Sequence, residues 1–175
     1  MTRPGGRSAR VRDAVHRAAV ELLVEGETDA AIPRIAERAG VNPTSVYRRW
    51  GNRENLLLDA AVTRLRERSP MPDTGSLRGD LLAWANAVEE AIADPNGRVL
   101  LRALFATMSA PRPEHLSARG EDLQAMLDAA AARGEPTPSV DDVLDYVLAP
   151  IYLRALFGVP MTPGAVLVDR LLRNR

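Results

Sequence analysis

With 175 residues and no cysteine, the chain excludes disulfides and thiolate metal sites; it is long enough for one helical protein with a small head and a larger body. Apolar runs such as 99–106 fall far below the roughly 20 residues of a membrane span, and no basic stretch followed by a long apolar core marks a signal peptide, so a cytoplasmic protein with no membrane partner is expected. The formal net charge is zero but unevenly spread: residues 1–68 carry 13 arginines against 9 acids and residues 69–175 carry 10 against 14, so the first part is the positive one, a weak pointer to nucleic acid.

Residues 1–8, with Arg3, Pro4, Gly5, Gly6 and Arg7, read as disordered, either a solvated terminus, the favoured reading, or a short basic arm along DNA. From 11 to 25, Val11, Val15, Ala18, Ala19, Leu22 and Leu23 share one face of a first helix. Ile32, Ile35, Ala36 and Ala39 repeat that spacing in a short second helix, and Gly40 supplies the positive φ of a tight turn. Asn42 and Pro43 then suit the cap and first position of a third helix. Within it Val46 points inward, while Thr44, Ser45, Tyr47, Arg48 and Arg49 form an outward face of hydroxyls, a phenol and guanidinium groups. Such a face suits phosphates and base edges, so the segment 32–50 predicts a helix-turn-helix that reads double-stranded DNA. Asn52 caps a fourth helix reaching about 68, with Leu56, Leu57, Ala60, Ala61 and Leu65 apolar, and the Pro- and Gly-containing stretch 69–75 ends the pattern.

Beyond 75 the chain again reads as helix throughout. Leu77, Leu81, Trp84, Ala85, Val88 and Ile92 recur at three and four, up to a break at 94–97. An apolar helix over 99–108, a linker at 110–113, a helix over 114–133 and a break at 134–138 follow. Ser139 with Asp142 has the spacing of a capping box, opening a helix with Val140, Val143, Leu144, Val147, Leu148, Ile151, Tyr152, Ala155 and Leu156. Pro150 lies inside it and has no N–H for the carbonyl of Tyr146, which predicts a kink or a fresh turn there. A last helix starts at Thr162-Pro163, with Val166, Leu167, Leu171 and Leu172 apolar. No alternating strand pattern of useful length occurs, so the fold class is all-α: a helix-turn-helix head over 1–54 and a helical body over 55–175.

Residues 10–58 resemble, in order and spacing, the N-terminal DNA-binding domain of the TetR family of bacterial transcriptional regulators. The segment 11–26 resembles that family's first helix, Ile35 to Val41 its second helix and turn, Ser45 to Trp50 its recognition helix, and Arg53 to Leu57 the start of its fourth. The resemblance implies base or phosphate contacts from Thr44 and Ser45, and backbone contacts from Tyr47, Arg48 and Arg53, beside Arg49 on the same helix. Ala31 stands where the family often has a Thr or Ser cap, and Pro43 replaces an early Lys or Arg of the recognition helix. The resemblance further implies a homodimer that packs its last two long helices against their copies, here through Val143, Val147, Leu148, Ile151, Leu171 and Leu172. It also implies a small apolar effector bound in the body, for which Trp84, Phe105, Met108, Tyr146 and Tyr152 are the candidates.

Catalysis finds little support. The two histidines, His16 and His115, lie about a hundred positions apart with no metal-ligand spacing, and the adjacent carboxylates Glu89-Glu90 and Asp141-Asp142 project about 100° apart on a helix. No enzyme activity, metal or cofactor is expected. The sequence therefore reads as a ligand-responsive repressor on a palindromic operator; the alternatives are a constitutive DNA-binding protein and a helical protein-interaction module.

Overall fold

The computed structural model describes residues 5–107 and 113–173, and every regular element among them is helical. The chain divides into two compact units, one of Met1–Arg64 with Arg102–Ala110 and one of Leu65–Leu101 with Pro111–Arg175.

In the first unit, α1 (Gly5–Val24), α2 (Ile32–Ala39), α3 (Pro43–Trp50) and the start of α4 (Arg53–Arg68) enclose one apolar core. Val15, Ala18, Ala19 and Leu22 of α1 meet Ile32, Ile35 and Ala36 of α2, Val46 of α3, and Leu56, Leu57, Ala60 and Ala61 of α4, all buried. The helix ends follow from the sequence. Gly40 closes α2 at φ +66°, its N–H donating to Glu37 while Val41 N–H reaches back to Ala36 at 3.0 Å, a pairing that satisfies two end carbonyls and reverses the chain. Asn42 Oδ1 then accepts Thr44 N–H at 2.8 Å to start α3, and Asn52 Oδ1 accepts Asn55 N–H at 2.8 Å to start α4. Ala31 gives α2 no side-chain cap. Residues 5–8, expected to be disordered, are instead the first turn of α1, where the Arg49 guanidinium donates to Ser8 Oγ at 3.1 Å and fastens that turn to the end of α3.

The second unit contains α5 (Leu77–Ala93), the beginning of α6 (Pro95–Thr107), α7 (Pro113–Ala132), α8 (Val140–Val143), a π-helical turn (Leu144–Leu148), α9 (Ala149–Phe157) and α10 (Gly164–Arg173). Leu81, Trp84, Ala85 and Val88 of α5 lie in its core with Leu123 and Leu127 of α7, Val143, Val147, Ile151, Leu167 and Val168. α6 starts earlier than its apolar run, because Pro95 fits a first helical turn and the Asp94 carboxylate accepts Gly97 N–H. Residue 97 must be glycine: a Cβ there falls 1.7 Å from the carbonyl oxygen of Ala91. Buried Asp80 ties the loop after α4 to α5, accepting Thr74 N–H at 2.6 Å and Thr74 Oγ1 at 2.7 Å while pairing with Arg133. The capping box of Ser139 and Asp142 forms as expected. At Pro150 the helix does change form: it widens into the π turn, Ala149 N–H donates to Leu144, and α9 begins with the proline in its first turn, where no donor is needed.

Candidate nucleic-acid interface

α3 is held from beneath by its two buried residues, Val46 and Trp50. Trp50 Nε1 donates to Asp59 Oδ2 of α4 at 2.7 Å, and the same oxygen lies 3.0 Å from Nε2 of buried His16 on α1. The His16 and Trp50 rings pack in a tilted contact, with centroids 5.7 Å apart and planes at 51°. Burial works to raise the Asp59 carboxyl, yet hydrogen bonds from His16 and Trp50 more than offset it and hold the group at about 2. One carboxylate thus fixes the C-terminal end of α3 to both supporting helices.

With that end fixed, α3 presents Thr44, Tyr47, Arg48 and Arg49 as exposed residues and Ser45 half-buried. Their guanidinium groups differ in what they already hold. Arg49 donates to Ser8 and stacks its Cζ 5.5 Å from the Trp50 ring centroid. Arg53, taken from the sequence as a phosphate contact, donates through Nε to the Ala30 carbonyl at 3.0 Å and through Nη2 to that of Thr28, so it braces the loop between α1 and α2. Arg48 has neither a hydrogen bond nor an ion pair among the described residues. On α2, Arg34 forms a bidentate pair with Glu27, both bonds 3.1 Å, and Arg38 one with Glu25 at 2.8 and 2.7 Å. Both guanidinium groups are matched by carboxylates, so neither adds free positive charge to the head.

The remaining residues singled out from the sequence fall in three groups. Met108 and the side chain of His115 lie outside the described residues. Of the effector candidates, Trp84 is 0% exposed and Tyr152 half-buried, both in the second unit; Phe105 is half-buried in the part of α6 that belongs to the first unit; Tyr146 is 46% exposed. Of the six expected dimer residues, Val143, Val147, Leu148, Ile151 and Leu171 are buried within the chain, and Leu172 is half-buried. They complete the core of a single subunit. Among the described residues of the second unit, the large apolar residues left exposed are Tyr146, Leu153, Val159, Met161, Val166 and Phe157, the last 73% exposed. Two further positions escaped the sequence reading although each bore a signal. Asp59 interrupts the apolar stripe of α4, and Arg119, 6% exposed, begins the stripe of α7 that continues through Leu123, Met126 and Leu127.

A bundle that presents a short polar helix behind a glycine turn has the arrangement of a helix-turn-helix DNA-binding head. Comparison with known proteins makes the class specific. Residues 16–60 match the family described as bacterial regulatory proteins, tetR family, and residues 71–173 match the Tetracyclin repressor-like, C-terminal domain. The HTH-type transcriptional regulator AqdR of Rhodococcus erythropolis is 35% identical over 89% of this chain and 76% of its own. The DNA-binding transcriptional repressor TetR of Mycobacteroides abscessus is 30% identical over 86% and 85%. Among solved structures, the TetR family transcription regulator SCO0332 superposes with a TM-score of 0.73 at 28% identity, over 94% of this chain and 98% of that one. The chain belongs to the TetR family and is a DNA-binding transcriptional regulator. Among the described residues, no helix is long and apolar enough to cross a membrane.

Proposed function

We propose that the chain acts as a homodimeric, effector-responsive repressor of a palindromic operator. Thr44 and Ser45 at the start of α3 read base edges, and Tyr47 and Arg48 contact the phosphate backbone; Arg49 and Arg53 join them only by exchanging bonds they make within the head. Two heads enter successive major grooves about 34 Å apart. The observation that carries the dimer is the outward apolar row of Tyr146, Leu153 and Phe157 with nearby Val159, Met161 and Val166, because an apolar row of this kind on a soluble chain marks a contact surface. A small effector bound in the second unit releases the operator by favouring the released state; moving a population from 1:99 to 99:1 takes roughly 5.5 kcal/mol of differential affinity. The test is sedimentation of the protein alone and with a duplex carrying one or two half-sites. A dimer that binds the palindrome as one unit supports the reading, and a monomer at micromolar concentration removes it.

A further inference from the structure

Arg119 is a buried cation whose partners are neutral. Its Nη1 donates to the Ser69 carbonyl at 3.2 Å and its Nη2 to the Ser69 hydroxyl at 2.8 Å. Asp122, the carboxylate that acts on it, is engaged by Arg66 in a bidentate pair at 2.9 and 2.8 Å, and among the described residues no carboxylate forms an ion pair with Arg119. Its Cζ stands 5.7 Å from the ring centroid of Trp84 on α5. That indole is fully buried, and its Nε1 has no acceptor among the described residues. The phenol of Tyr152 on α9 faces the same guanidinium. Burial works against the charged form of each group, lowering the Arg119 guanidinium and raising the Tyr152 phenol, which stays neutral, from their ordinary values.

Hydrogen bonds to a serine and contact with an aromatic face satisfy some donors but supply no opposite charge, and a charge out of water without its counterpart is costly. An indole N–H without an acceptor adds to that cost. Three helices of the second unit therefore bring together a guanidinium, an indole N–H and a phenol, with no anion among them. A neutral acceptor satisfies the indole but leaves the guanidinium without counter-charge; a carboxylate answers both.

We propose that this cluster is the polar end of the effector site, and that the effector is a small organic acid whose carboxylate accepts from Arg119, Trp84 Nε1 and the Tyr152 hydroxyl while its apolar body lies in the core. The proposal rests on the reading of the chain as effector-responsive and replaces a purely apolar effector by an anionic one.

The chain has two tryptophans, Trp50 and Trp84. Its proton–nitrogen correlation spectrum thus carries two indole N–H signals, which Trp50→Phe assigns. Sodium benzoate and octanoate, matched against benzamide and octanamide, are titrated into the intact protein at constant ionic strength. The Trp84 signal is expected to move saturably with at least one acid and not with its amide, and Arg119→Gln to weaken that binding by about tenfold or more. Trp84→Phe, read by thermal shift, gives the same weakening should Arg119→Gln not fold. An equal response to acid and amide, or no response to either acid at concentrations that saturate a millimolar site, overturns the proposal. Displacement from operator DNA separates the two layers. An acid that binds at Trp84 without changing DNA affinity keeps the anion site and removes effector control; release of DNA from Arg119→Gln by a neutral compound keeps effector control and removes the anion site.

Discussion

At the scale of single residues, the question is which guanidinium groups of the head are free to neutralise phosphate. Arg34 and Arg38 are matched by Glu27 and Glu25, and Arg53 is committed to two loop carbonyls, whereas exposed Arg48 holds nothing among the described residues. Arg48→Ala should therefore weaken binding to every duplex by a similar factor and lower the slope of log affinity against log salt by about one unit. The same titration on Arg38→Ala should leave the slope unaltered. Base reading is a separate property: Thr44→Ala should shift the preferred operator at one position by about 1–3 kcal/mol, visible as a different motif selected from a random duplex pool. Asp59 belongs to neither group, since it holds α3 from behind. Its folded value is depressed to about 2 from an ordinary 3.8, so its contribution is present above the unfolded value and disappears as pH falls through the folded one. Urea unfolding should show Asp59→Asn less stable by about 2 kcal/mol near neutral pH, with the gap to wild type closing at about pH 2. A gap that persists in acid would show that Asp59 acts by packing alone.

At the scale of elements, helix ends were legible and helix faces only half so. Gly40, Asn42, Asn52 and the Ser139–Asp142 pair act within one or two turns of themselves, so their local chemistry decides the outcome whatever packs nearby. The π turn before Pro150 is equally local, because the missing donor forces it. The segment from 143 to 157 differs. It carries one apolar row through Val143, Val147 and Ile151 and another through Tyr146, Leu153 and Phe157, and periodicity gives the angle between rows without saying which faces the chain's own core. Tertiary packing decided that, burying the first row and leaving the second exposed. Two variants separate the rows. Phe157→Glu should give a folded monomer by sedimentation with native helicity, while Leu148→Glu places a carboxylate in the core and should cost several kcal/mol, about 3–5, of stability. Similar reasoning explains why Arg119 escaped notice: a charge at an apolar position has meaning only once Trp84 and Tyr152, 35 and 33 positions away, are known to stand beside it.

At the scale of the whole molecule, the even balance of 23 basic and 23 acidic residues limits what one subunit achieves on a polyanion. The positive part is the first, and much of its arginine is internally matched, so one head engages few phosphates and binds weakly and in a salt-dependent way. In the proposed dimer, affinity for a specific site comes from coupling two heads, where the first contact raises the effective concentration of the second by a factor of about 10²–10⁴. That gain depends on geometry, since both heads must meet the same side of the duplex. B-form DNA turns once in about 10.5 base pairs, so adding about 5 base pairs between half-sites carries the second to the opposite side, and adding about 10 returns it at a greater distance. Wild-type protein should lose most of its operator affinity with the half-turn insertion and recover part of it with the full turn, to the extent that the dimer stretches. Phe157→Glu should bind all three duplexes alike, at the affinity of a single half-site. Gel-shift titration of the three operators with both proteins measures this directly, and a wild-type affinity indifferent to spacing would mean that the heads bind independently.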